Sequence, residues 1–207
     1  MISKKLFIPA IICNLFILIS ELTVVITELP VRGFSSLNYY TVLSNLLGMV
    51  AAAFYICSAI TSFKRLNKTR TLLRYYATCM LSFTFIVVFT MLVPLAHAAG
   101  MGTAFLLTEG AAPVQHIINP VLSFVSFMFF EDNSLLKKRQ PLIMLSLTLL
   151  YAFIMIGFNI ARMANGPYPF FQVYDYPIVM IILWLAGLIG VTYLINFLIY
   201  RFCRKGS

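Results

Sequence analysis

In one apolar stretch, Thr41, Ser44, Asn45 and Gly48 fall at i, i+3, i+4 and i+7. In another, His116, Asn119, Pro120 and Ser123 repeat that spacing. At about 100° per residue each set occupies one helix face. A threonine hydroxyl is a poor nucleophile until a base takes its proton. A neutral imidazole within about 3 Å can take it, and a carboxylate can orient the ring. Glu21, in a third apolar stretch, is the candidate carboxylate. Ser44, Asn45 and Asn119 are candidates for pocket polar groups or for an oxyanion hole. Arg162 reads as an anchor for a substrate carboxylate or as a snorkelling residue. These parts suit acyl-ester chemistry, which needs neither a metal nor a cofactor. The hydrolase signatures G-x-S-x-G and H-E-x-x-H are missing from the sequence. Structural readings stay open beside the catalytic ones. A membrane threonine commonly bonds its own i−4 carbonyl, and Glu21 is equally readable as a neutral buried acid or an ion-pair partner.

The elements that must carry these residues are legible from composition. Of 207 residues, 61% are apolar and 10% charged, and mean hydropathy is +0.95. That excludes a water-soluble enzyme, a disordered chain and a disulfide-stapled module. The reading is all-α: a polytopic bundle of six transmembrane helices forming one domain over residues 1–207. The six apolar segments are Leu6 to Thr27, Tyr39 to Phe63, Tyr75 to Ala96, Ala111 to Phe130, Leu142 to Ala161 and Pro177 to Tyr200. Each is long enough to cross a bilayer, and continuous apolarity favours helices over barrel strands.

Thirteen of the fifteen basic residues fall at the two termini and in the connections around 64–74 and 137–139. Only Arg32 and Arg162 lie on the other side. The positive-inside rule then puts both termini in the cytoplasm. It also accounts for the net charge of +9 with an anionic inner leaflet as partner and no nucleic acid. Counting about 1.5 Å per residue from the inner edge puts Glu21, Thr41 and His116 roughly 24, 28 and 22 Å up. Three helices thus bring carboxylate, hydroxyl and imidazole to a similar depth in the outer half.

The run Tyr39-Tyr40-Thr41-Val42-Leu43-Ser44-Asn45-Leu46-Leu47 resembles the start of the second helix in the Pr6Pr family of bacterial membrane proteins. His116-Ile117-Ile118-Asn119-Pro120 is similar to that family's His-x-x-x-Pro on the fourth helix. Gly166-Pro167-Tyr168-Pro169-Phe170-Phe171 resembles its Tyr-Pro-Phe-Leu segment before the last helix. The family is in turn similar to the androgen-induced membrane proteins, which are threonine hydrolases of fatty acid esters of hydroxy fatty acids. The resemblance implies Thr41 as nucleophile, His116 as its partner, a lipid ester as substrate and a bacterial plasma membrane as location. The chain departs from the pattern at Gln172, and at Ser123 and Ser126, where relatives carry acidic residues. Two functions follow as expectations: an intramembrane lipid-ester hydrolase, or a non-enzymatic lipid-binding or transport protein using the same pocket.

Overall fold

The computed structural model describes residues 4–61 and 67–205. Described residues form helices, with no strand among them. In order these are α1 (Lys4–Arg32), α2 (Tyr40–Thr61), α3 (Asn67–Val87), α4 (Val93–Ala98), α5 (Ala104–Leu107), α6 (Asn119–Phe129), α7 (Gln140–Ile160) and α8 (Ile178–Lys205). Two π-helical turns, Val88–Leu92 and Val114–Ile118, lead directly into α4 and α6. Short 3-10 turns cover Phe34–Asn38 and Pro169–Phe171.

Five helical stretches are long and apolar enough to cross a membrane: Phe7–Arg32, Tyr40–Thr61, Asn67–Ala98, Gln140–Ile160 and Ile178–Arg204. The chain is therefore an integral multi-pass membrane protein. The expected fourth span is shorter. It is an apolar helix only over Val114–Phe129, because the segment before it turns at Gly110, whose φ is +52°, and because it ends at Phe130 ahead of Glu131 and Asp132.

The other boundaries also move. α1 continues past Thr27 to Arg32 and stops where Gly33, at φ +68°, bonds its N–H back to the Leu29 carbonyl. This left-handed position favours glycine. α3 begins at Asn67, two turns before the apolar run expected from Tyr75, so Arg74 is helical. Of the basic connection read before it, Lys64 and Arg65 lie outside the described residues.

Contacts divide the chain into two compact units, Met1–Leu136 with Phe202–Ser207, and Lys137–Arg201. In the first, α1, α2, α3 and α6 pack as a ring of four. Ile17, Ala51, Ala52, Tyr55, Tyr75, Leu81 and Phe127 fill its interior. Ile8, Ile12, Phe16 and Ile19 point outward from α1, an apolar exterior suited to lipid. The second unit holds α7, most of α8 and the loop between them. There Tyr168, Phe170 and Phe171 form a buried aromatic cluster, and Phe171 meets Tyr151 of α7 edge-on. Gly166 is required at this turn, since a Cβ there would come within 2.5 Å of the Phe171 Cβ. The last turn of α8 belongs to the first unit, where Cys203 Sγ accepts a hydrogen bond from Asn133 Nδ2 at 3.3 Å.

Candidate functional site

The polar face of α2 points inward. Thr41, Ser44, Asn45 and Gly48 are all buried. Ser44 Oγ and Asn45 Nδ2 both donate to the Thr41 carbonyl, each at 2.9 Å, the back-bonding typical of short polar side chains in helices. Ser44 Oγ also lies 2.9 Å from Thr84 Oγ1 of α3. Gly48 lets these helices approach closely: a Cβ there would sit 3.1 Å from Leu81 Cδ1.

Across from this face, Pro120 dictates the local structure. Its missing N–H and its ring disfavour an ordinary turn before it. The chain widens into the π turn Val114–Ile118, in which the Asn119 N–H reaches the Val114 carbonyl, five residues back. In that register the next carbonyl, that of Gln115, faces the nitrogen of Pro120, which has no proton to donate. Asn45 supplies the missing donor. Its Nδ2 reaches the Gln115 carbonyl at 3.1 Å while also holding the Thr41 carbonyl. One side-chain amide thus joins the backbone of Thr41 to the residue preceding His116. π turns of this kind recur at functional sites.

Glu21 completes a buried network. Its Oε1 accepts from Gln115 Nε2 at 2.9 Å and its Oε2 from Asn119 Nδ2 at 3.5 Å. Asn119 Nδ2 also reaches Asn45 Oδ1 at 3.0 Å, and Asn119 Oδ1 accepts from Ser20 Oγ at 2.8 Å. The structure therefore brings Glu21, Asn45, Asn119 and the Thr41 backbone together. Gln115 and Ser20 are members that the sequence spacing did not single out. Both N–H groups of Asn45 and of Asn119 are taken within the protein, so an oxyanion role for either requires one of these bonds to open.

His116 is half-buried, and its Nδ1 is bonded to the Leu106 carbonyl. Since a carbonyl only accepts, this bond puts the proton on Nδ1 and leaves Nε2 as the basic nitrogen of a neutral ring. Arg162 belongs to the second unit. It holds a left-handed backbone, φ 56°, and stacks over the Tyr174 ring at 5.0 Å. Glu28 pairs with Arg32 one turn along α1.

A small cleft of about 50 Å³ lies beside this network. Glu21 and Gln115 line it, and Val24, Val25, Leu29, Leu37, Val42 and Leu46 form apolar walls. Glu28, Arg32 and Ser36 also border it. Thr41 and His116 are not among its lining residues.

A second polar cluster lies toward the other end of the first unit. Arg74 Nη2 and Glu131 Oε1 form an ion pair at 2.9 Å with side chains 0% and 3% exposed. Ser126 Oγ and Asn14 Nδ2 also donate to Glu131 Oε1, and Thr78 Oγ1 lies 2.9 Å from Ser123 Oγ. Sequence reasoning put Arg74 and Glu131 at the membrane edge. The available signal was the series Gln115, Asn119, Ser123, a helical repeat of four that continues to Ser126, together with Asn14 seven residues before Glu21. Set against known proteins, the chain matches no family model, no curated protein and no solved structure.

Proposed function

We propose that the chain is an intramembrane lipid-ester hydrolase of six spans, with both termini cytoplasmic, in a bacterial plasma membrane. Thr41 Oγ1 attacks the ester carbonyl while His116 Nε2 takes its proton. The tetrahedral intermediate collapses, the alcohol leaves with that proton, and an acyl-threonine remains. His116 then takes a proton from water, the hydroxide adds to the acyl group, and the free acid departs as Thr41 is reprotonated. A fatty acid ester of a hydroxy fatty acid is the substrate suggested by the resemblance to the Pr6Pr family.

The observation that carries this reading is the Asn45 bridge. It ties the carbonyl of Thr41 to that of Gln115, beside His116, at 2.9 and 3.1 Å. The Nδ1 bond of His116 adds a ring tautomer suited to base catalysis. A panel of lipid esters offered to purified protein tests it. Turnover that disappears in Thr41→Ala and falls sharply in His116→Ala supports it; turnover in folded Thr41→Ala equal to wild type sinks it.

A second reading has its own observation. The cleft is lined by Glu21 and Gln115 and not by Thr41 or His116, which favours a non-enzymatic lipid-binding or transport protein. A folded protein that binds lipid yet hydrolyses no ester in the panel decides for it.

A further inference from the structure

The ring of His116 is held by main chain rather than by an acid. Its Nδ1 is bonded to the Leu106 carbonyl of α5. Glu21, the carboxylate expected to orient the ring, instead has its two oxygens on the amides of Gln115 and Asn119. The Leu106 carbonyl is available because α5 is only four residues long, Ala104–Leu107. A helix leaves its last four carbonyls without an intrahelical partner. Here the N–H groups of Thr108 and Glu109 both turn to the Ala104 carbonyl, at 2.8 and 2.9 Å. Leu106 itself is well seated. Its N–H bonds the Thr103 carbonyl at 3.0 Å, and its side chain is buried. These two attachments fix where its carbonyl lies.

That bond has a chemical consequence. A neutral imidazole in water favours the tautomer with its proton on Nε2. In that form Nε2 is a donor and cannot take a proton from a hydroxyl. An acceptor at Nδ1 reverses the preference, because only the Nδ1–H form can donate to it. We infer that Leu106 is the positioning residue of the Thr41–His116 pair, its main-chain carbonyl standing where a catalytic triad carries a carboxylate. Its purpose rests on the hydrolase reading, whereas the tautomer it assigns is a property of the ring alone. A carbonyl bears no net charge, so it orients the ring without adding a second buried charge to the one at Glu21. The base therefore depends on α5. Displacing this short helix returns the proton to Nε2 and blocks proton transfer from Thr41.

The test uses full-length protein with isotope-labelled histidine in lipid nanodiscs. The chain has two histidines, and His97→Gln identifies the signal of His116. Nitrogen NMR at about pH 9, well above the usual imidazole pKa near 6.5, should show His116 mainly as the Nδ1–H tautomer. Glu21→Gln should leave that spectrum unchanged. Leu106→Gly removes the buried side chain that seats the carbonyl and should turn the ring mainly to Nε2–H. Leu106→Met should keep the Nδ1–H form. Replacing Leu107 by its α-hydroxy acid makes the Leu106 carbonyl an ester, a weaker acceptor, with every side chain in place. It should move the ring the same way, and it decides the matter if Leu106→Gly does not fold. On a hydrolysed ester, kcat of the ring-turned variants should fall by about tenfold or more while KM stays within about twofold. Wild-type His116 found mainly as Nε2–H, a tautomer that moves in Glu21→Gln, one that stays put in the ester variant, or undiminished kcat in a variant whose ring has turned overturns the inference. If the spectra behave as expected and no ester is turned over, the hydrolase reading fails and the hold of Leu106 on the ring stands.

Discussion

Asn45 of α2 and Asn119 of α6 are joined amide to amide, Oδ1 to Nδ2, at 3.0 Å. With its two N–H groups on the carbonyls of Thr41 and Gln115, Asn45 has every polar side-chain atom engaged. Its role follows from Pro120, which offers the Gln115 carbonyl no N–H.

That dependence predicts a coupled mutant pair. Asn45→Ala strands the Gln115 carbonyl, and each buried group left unsatisfied costs about 1–3 kcal/mol. Pro120→Ala restores an N–H within the helix, so the Gln115 carbonyl no longer needs Asn45. The double variant should be at least about 0.5 kcal/mol more stable than the sum of the single losses, the range expected for coupled neighbours. Unfolding in detergent measures this; strict additivity would show that the bridge does not serve Pro120.

The ion pair between α3 and Glu131 should be strongly asymmetric to mutation. Removing only Arg74 leaves a buried carboxylate without its cation, a loss of about 3–5 kcal/mol. Arg74→Met combined with Glu131→Leu removes both charges and should cost clearly less than Arg74→Met alone. If the double variant is the less stable of the two, the pair is stabilising on balance.

Catalysis by Thr41 predicts a graded series. Thr41→Ser keeps the hydroxyl but loses the methyl that limits its rotamers, so some turnover should remain where Thr41→Ala shows none. His116→Ala should reduce the rate by about 10²- to 10⁴-fold, the usual worth of a general base. The wild-type rate should fall as acid protonates the ring, because the imidazolium cannot accept a proton. A flat rate across the imidazole titration range removes His116 from the base role.

Topology can be tested with introduced cysteines. Cys203 is a poor reporter, since it is buried against Asn133 and Met128. Lys138 and Ser35 are both exposed. With both termini cytoplasmic, Ser35→Cys should react with an impermeant reagent in intact cells, and Lys138→Cys only after permeabilisation. The reverse pattern inverts the orientation.

Acid should loosen the turn after α6. Burial pushes the Asp132 carboxyl up, but the backbone and side chain of Ser134 hydrogen-bond it and hold it below the usual carboxylate value. A depressed folded value stabilises the protein above the unfolded pKa, and that stabilisation is lost as pH falls through the folded one. The melting temperature should therefore drop below about pH 4 in wild type, and drop less in Asp132→Asn. Parallel acid curves for the two proteins would rule out this linkage.

Much of the α2 face was legible because a continuous α-helix keeps one angular period. Thr41, Ser44, Asn45 and Gly48 line up as their spacing requires. On the opposing face Asn119, Pro120 and Ser123 are buried as their spacing requires, and only the first member differs, Gln115 being buried where His116 was read. A π turn winds less per residue than an α turn, so before Asn119 it brings Gln115 onto the inward line and swings His116 aside. Pro120 marks the turn in the sequence, but a proline there fits a plain kink as well. The burial of Arg74 and Glu131 was not legible for another reason. Hydropathy ends a span where charge begins, whereas α3 continues for two turns through Asn67–Arg74 and carries its arginine into the interior.

The last turn of α8 has a consequence for the timing of synthesis. Asn133 and Cys203 are partners in the first unit, yet all of residues 137–201 must be made between them. At about 5–20 residues per second, the four-helix ring exists for several seconds before its final contact can form. During that interval the C-terminal end of α6 depends on the Arg74–Glu131 pair and on Thr71, whose hydroxyl holds the Asp132 carbonyl at 3.1 Å. A nascent chain stalled before Phe202 is thus a ring awaiting its closing piece.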